Sequence, residues 1–194
     1  MRTGSVRFLG LGMASIVLLL AVMSCTALKP PAPDKNSAEW KIKNAMSAAP
    51  MAIAKDATIM DWPTAEGAPP TQLRAGTNGW LCYPDDLTTP TNDPMCLDQV
   101  WQALIQAYVE KKPFSTQVGG FGYMLQGGSG ASNTDPFKLA PGPGEQWMIC
   151  PPHVMWVSPD PAALAGFSTE PLNGGPWIMW KGTPYEHVMI PVVR

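Results

Sequence analysis

The clearest pattern of apolar and polar positions runs from Leu97 to Tyr108. Apolar residues fall at Leu97, Val100, Trp101, Leu104, Ile105 and Tyr108, with Gln99, Gln102, Gln106 and Glu110 away from them. That spacing is one face of an α-helix. Asp93-Pro94 offers a cap and a first-turn proline, Lys111 and Lys112 suit the negative end of the helix dipole, and Pro113 stops the run. The pattern predicts one strong amphipathic helix over about 94–112. A weaker helix is expected over about 37–48, with Ser37 as cap, Trp40, Ile42 and Met46 as its apolar residues, and Pro50 as its stop.

Most of the remaining periodicity has a period of two. Met51 to Trp62 reads as an extended strand or as a continuation of the preceding helix with little periodicity, and the strand is favoured. Thr71–Ala75 and Trp80–Tyr83 are expected to pair as a hairpin across Gly76-Thr77-Asn78-Gly79, because Asn-Gly is the strongest short-range turn signal. Val118–Gln126 places Phe121, Tyr123 and Leu125 on one face. Gln146–Cys150, His153–Ser158, Trp177–Lys181 and Glu186–Val193 complete the strands, the last two as a hairpin around Gly182-Thr183-Pro184. Strands and helices do not alternate, so the expected fold is α+β: a single domain over 36–194, with a mostly antiparallel sheet packed by the two helices.

The first 24 residues read differently. Arg2 and Arg7 precede an apolar run from Phe8 to Met23, which is short for a membrane span, and small residues follow. That order is a secretory signal peptide over 1–24. Val22-Met23-Ser24-Cys25 resembles a bacterial lipobox, with Met23 and Val22 in place of the usual small residue and leucine. The resemblance implies lipidation of Cys25. The alternative is ordinary cleavage after Ala27. Thr26 is not the aspartate that retains lipoproteins at the inner membrane, so the expected location is exported: outer membrane or periplasm-facing in a Gram-negative host, with the membrane as partner through a lipid anchor. Residues 25–35 then form a Pro-rich tether.

Composition narrows the function classes. Removing Arg2 and Arg7 takes the formal charge from −2 to −4, and no basic patch remains, so nucleic acid is not an expected partner. The 22 prolines and 18 glycines indicate many loops, while eight tryptophans and 45% hydrophobic residues indicate a packed core. With Cys25 set aside, Cys82, Cys96 and Cys150 remain. An oxidising compartment and the turn-rich loop between them favour a Cys82–Cys96 disulfide, worth about 3 kcal/mol for a loop of that size, and leave Cys150 as a buried thiol.

Candidate chemistry is sparse. The two histidines sit in matching words, His153-Val154-Met155 and His187-Val188-Met189. On neighbouring strands two imidazoles and two thioethers would suit copper. Otherwise they are half-buried histidines beside gap-filling methionines. Asp85, Asp86, Asn92, Asp93 and Asp98 are oxygen donors for calcium, or turn and cap residues. The loop after Gln126, with Ser129, Ser132, Asn133 and Asp135, is a candidate ligand loop, although it lacks the endings of a phosphate loop and of a nucleophile elbow. Trp147, Trp156, Trp177 and Trp180, beside Tyr185, would line a groove for sugars or peptides or fill the core. No cofactor is expected on the leading reading.

The segments AKDATIMDWP, GTNGWLCYPD, NDPMCLD, YMLQGGSGASNTDP and KGTPYEHVMIPV resemble a family of exported bacterial proteins, lipoprotein-like and without assigned activity. The resemblance spans nearly all the mature chain. It implies secretion and a single domain and assigns no catalytic residue. Two functions follow as expectations. The first is an envelope lipoprotein that binds a small molecule or envelope partner through loops at one sheet edge. The second is a histidine-dependent hydrolase or metal-binding protein, using His153 and His187 with acids such as Asp135 or Glu186.

Overall fold

The structure, a computed structural model, describes residues 1, 32–65 and 67–192. Contacts divide the chain into Met1–Ala32 and Pro33–Arg194, and only the second unit is described below. The signal peptide, the lipidation at Cys25 and most of the 25–35 tether that the sequence leads one to expect lie outside the described residues. Among the described residues, no helix is long and apolar enough to cross a membrane.

In chain order the unit holds α1 (Ala38–Met46), α2 (Met51–Ala54), β1 (Thr58–Asp61), β2 (Thr71–Arg74), β3 (Leu81–Tyr83), β4 (Met95–Leu97) and α3 (Gln99–Val109). Then come β5 (Gly120–Met124), β6 (Gly128–Gly130), β7 (Met148–Cys150), β8 (His153–Val157), a 3₁₀ turn at Pro161–Leu164, β9 (Trp177–Met179) and β10 (His187–Pro191). Eight strands form one sheet in the order β2-β1-β3-β4-β5-β8-β10-β9, and β6 with β7 forms a separate ribbon. Among the strand pairs of the described residues, only β1–β3 is parallel, with one isolated parallel bridge between Ser168 and Trp177. The domain is therefore a large, mostly antiparallel sheet with few helices.

Alternation along the strands sorts the core into separate layers. Cys82 and Cys96 point to one side of the sheet and pack with Ala45, Ala48, Ala54 and Ile59, below α1 and α2. Leu97, Met155, Val157, Met179 and Met189 belong to a second cluster, which Trp101 and Leu104 of α3 cover. A third, smaller cluster joins Leu164, Ile178 and Val188. Gly120 sets the approach of α3, because a Cβ there would stand 2.5 Å from Val100 Cβ.

The disulfide joins Cys82 to Cys96, directly opposed on β3 and β4 with Cα atoms 4.0 Å apart. That pairing corrects the helix expected over 94–112. Residues 95–97 must be extended to reach β3, so Pro94 leads into a strand and the helix is confined to Gln99–Val109. Its cap is Asp98, whose carboxylate accepts from Trp101 N, and not Asp93. At the far end Lys111 N donates to Tyr108 O and Lys112 N to Ala107 O, the two bonds of a Schellman cap with Lys111 at φ 54°. The weaker helix holds 38–46 behind Ser37, whose hydroxyl accepts from Trp40 N.

The hairpin across Gly76–Gly79 is also corrected. β1 lies between β2 and β3, antiparallel to the first and parallel to the second. The Asn-Gly segment folds over the chain entering β1 instead. Thr77 N donates to Asp56 O, Asn78 Nδ2 donates to Ile53 O, and Trp80 N donates to Asn78 Oδ1. Gly76 crosses so closely that a Cβ would sit 2.2 Å from Ala57 C. The strand expected over 51–62 begins only at Thr58, since Met51–Ala54 is helical.

Candidate functional site

The side of the sheet beneath α3 carries both histidines. Register runs across it in rows. Leu97 pairs with Gly122, Gly122 with Met155, Met155 with Met189, and Met189 with Trp177. On one side of that row, Met124 pairs with His153 and His153 with Pro191. On the other, His187 pairs with Met179. The two His-Val-Met words run antiparallel, so their methionines meet while their imidazoles fall on opposite sides of the methionine pair. Of the four residues expected to converge, Met155 and Met189 are direct neighbours and the two histidines are not.

Both rings are buried, His153 at 1% and His187 at 2% exposure. His153 Nδ1–H donates to Pro151 O at 2.7 Å, and His187 Nδ1–H donates to Tyr185 O at 2.9 Å. A carbonyl only accepts, so each proton sits on Nδ1 and each Nε2 is a bare lone pair. His153 Nε2 has no hydrogen-bond partner. The His187 ring lies edge-to-face against Trp101 at 4.9 Å and Trp180 at 5.2 Å. Burial pushes His187 down to about 4, the Tyr185 carbonyl pulls it partly back, and repulsion from His153 in its protonated form adds to the fall. Burial lowers His153 as well, opposed by the Pro151 carbonyl. Both are neutral imidazoles at neutral pH.

Asp135 Oδ1 accepts from Phe137 N, Glu186 Oε2 accepts from Gly182 N, and among the described residues no carboxylate hydrogen-bonds either ring. Cys150 is a buried free thiol in the same core cluster, pushed up to about 11 by burial.

The loop between the cysteines and the loop after Gln126 do meet. Asp93 is buried, Thr89 Oγ1 donates to its Oδ2 at 2.6 Å, and Ser129 Oγ approaches the same oxygen at 3.5 Å. Thr91 Oγ1 donates to Ser129 Oγ at 3.1 Å. Asp86 N donates to Asp93 Oδ1, and Asp93 N donates to Asp85 Oδ1, while Lys35 Nζ donates to Asp85 Oδ2. Burial raises the Asp93 pKa, and the neighbouring Asp85 raises it further against the pull of Thr89 and the Asp86 amide. Asp86 Oδ1 accepts from Thr88 N within a turn, and Asn92 Oδ1 accepts from Asn44 Nδ2 of α1. Among the described residues, no three His, Cys, Asp or Glu side chains are grouped as metal ligands.

Ser129 belongs to a strand, β6, and the rest of the candidate ligand loop is fastened along the β9 edge. Asn133 O accepts from Trp180 N at 2.7 Å, Asn133 Oδ1 accepts from Trp177 Nε1, and Asn133 Nδ2 donates to Ile178 O. Ser132 Oγ accepts from Asp135 N, and Ser132 O accepts from Trp180 Nε1. These bonds hold Trp180 at φ 58°, a left-handed conformation that a bulky residue avoids. Its ring stacks on Tyr108, centroids 5.8 Å apart, and Phe137 stacks on Tyr108 at 5.4 Å. Tyr185 closes the group edge-on, and Lys111 Nζ lies 5.6 Å from the Phe137 ring centre. Phe137 is 45% exposed and Leu139 76%. Sequence reasoning singled out Trp180 and Tyr185 but not Tyr108 or Phe137, which come from distant segments and carry no local signal beyond being aromatic.

Two surface clefts stand elsewhere. One of about 290 Å³ is lined by Asn78, Trp80, Asp98 and Gln99, and one of about 560 Å³ lies along α1 at Asp34, Trp40, Lys43 and Asn44. Neither contains a histidine. Compared with protein-family models, curated proteins and solved structures, the chain finds no match in any of the three.

Proposed function

We propose that the chain is an exported envelope lipoprotein, anchored through Cys25, whose domain binds its ligand with loops along the β9 edge. The observation that carries the binding reading is Trp180, held at φ 58° by Ser132 and Asn133 so that its ring joins the Phe137–Tyr108 stack. A bulky residue kept in a disfavoured backbone region marks a place where surrounding structure is used to aim a side chain. Flat aromatic faces beside Lys111 suit a sugar ring or an extended peptide from the envelope. The buried Cys82–Cys96 disulfide supports export, because such bonds persist in oxidising compartments. The hydrolase reading gains no support, since both histidines turn Nδ1 to backbone carbonyls.

Tryptophan fluorescence tests the binding surface. Soluble peptidoglycan fragments and envelope-derived peptides are titrated against the protein and against Phe137→Ala. Saturable quenching that weakens on the order of tenfold in the variant is expected. No saturable change with either ligand class would sink the reading. The anchor is tested apart from it, by lipid labelling of wild type and Cys25→Ala in cells. Labelling lost in the variant is expected, and equal labelling refutes the anchor.

A further inference from the structure

On the side of the sheet beneath α3, five positions border His153: Met124 and Pro191 across the neighbouring strands, Met155 along its own strand, and Gly122 and Met189 on the diagonals. Three of the five are methionine. Diagonal neighbours in a sheet remain within reach of long side chains. The imidazole at the centre is fixed by its Nδ1–H bond to Pro151 O, and its Nε2 lone pair is buried without a partner. A buried polar atom left unpaired is costly, so an orphan acceptor bordered by methionines calls for an explanation.

The β6–β7 ribbon closes the space from above. A Cβ on Gly128 would lie 2.9 Å from Met124 Cε, 3.6 Å from Asp93 Cβ and 3.8 Å from His153 Cε1, so the ribbon rests against these side chains at a glycine. Met155 turns its methyl end toward β5, where a Cβ on Gly122 would meet its Cε at 2.7 Å. Met124 is half-buried, which gives the site a route to the surface at its rim. Neutral imidazole and thioether donors are soft ligands. They favour Cu(I) over the oxygen-seeking Ca²⁺ and over Zn²⁺, which prefers thiolate, imidazole and carboxylate. His187 is not part of this set, because the methionine pair stands between the two rings and two tryptophans enclose the second.

We infer that His153 Nε2, with the thioethers of Met124, Met155 and Met189, forms a buried site for one monovalent soft cation of the Cu(I) type. The site is independent of the aromatic surface at the β9 edge.

The test uses the folded full-length chain carrying Cys25→Ala and Cys150→Ser, which removes both competing thiols. Cu(I) is presented anaerobically in a coloured chelator, and the imidazole nitrogens are followed by ¹⁵N NMR. The expected result is one Cu(I) withdrawn per chain, with the His153 Nε2 resonance moving and its Nδ1–H retained. Met124→Leu, Met155→Leu and Met189→Leu conserve volume and should keep the fold. Each is expected to weaken retention on the order of tenfold, which is about 1.4 kcal/mol. The proposal is overturned if the chelator keeps the metal, if the His153 resonance stays still during uptake, or if the triple methionine variant retains Cu(I) as well as the parent. Uptake abolished by Cys150→Ser alone would place the ion on the thiol and overturn it too.

Discussion

Met155 and Met189 stand directly opposite each other on β8 and β10, and this pairing decides what the two His-Val-Met words do. Antiparallel strands bring identical words together at one position only. Here that position is the methionine, so the two imidazoles are held apart and each is enclosed by a different set of neighbours. A shared two-histidine centre is replaced by two separately buried neutral rings.

Those rings make stability depend on pH. His187 is lowered from its ordinary 6.5 to about 4, so the folded protein resists a proton that the unfolded chain accepts. Its contribution is fully present above about 6.5 and is lost as pH falls toward 4, a change of about 3 kcal/mol. His153, also lowered, acts in the same direction. Asp93, raised, acts in the opposite one, contributing below the ordinary carboxylate range and losing that as pH rises through its raised value. Urea midpoints measured from pH 7.5 to 4.5 should therefore fall. NMR should show the His187 ring still neutral at pH 5.5, and a ring that titrates near 6.5 in the folded state would contradict this account.

Reduction of the disulfide should weaken the domain without touching its surface. Cys82 and Cys96 are buried, separated by 14 positions in sequence, and bonded across two neighbouring strands. Opening a loop of that size costs about 3 kcal/mol. The Cys82→Ala/Cys96→Ala variant is expected to show that loss in denaturant unfolding, and wild type with a thiol reductant should behave alike. Coincident unfolding curves for oxidised and reduced protein would be the contrary result.

Elements whose cause is local were legible in the sequence, and those set by distant partners were not. Ser37 caps α1 as its residue type suggests, and the alternation in β8 is plain. The start of α3 was misplaced because Asp93-Pro94 is a good cap in isolation, whereas the disulfide requires 95–97 to be extended. The Asn-Gly signal was real as a turn but silent about β1, which lies between the two strands it joins. At the aromatic edge, Tyr108, Phe137 and Trp180 come from three segments that only the sheet order brings together.

Lys111 occupies a position that glycine fills more easily. It sits at φ 54° in the Schellman cap of α3, where a side chain costs about 1 kcal/mol. Lys111→Gly should raise stability by somewhat less than that, because the contact with Phe137 is lost. Thermal unfolding checks the sign, and a lower midpoint would mean that the lysine–aromatic contact outweighs backbone strain.

Gly76 should be among the least replaceable positions in the domain. A Cβ there would lie 2.2 Å from both Ala57 C and Thr58 N, backbone atoms at the entrance to β1 that have no rotamer by which to yield. Relief requires moving the crossing itself, which carries the Thr77 and Asn78 bonds to Asp56 and Ile53. Gly76→Ala is expected to cost about 3 kcal/mol, at the upper end for overpacking. Gly166→Ala is the control, since nothing stands within 4 Å of its Cβ position. That variant should unfold within about 0.5 kcal/mol of wild type. Equal stability of the two variants would show that the Gly76 crossing opens freely, and the place of β1 between β2 and β3 would then need another cause.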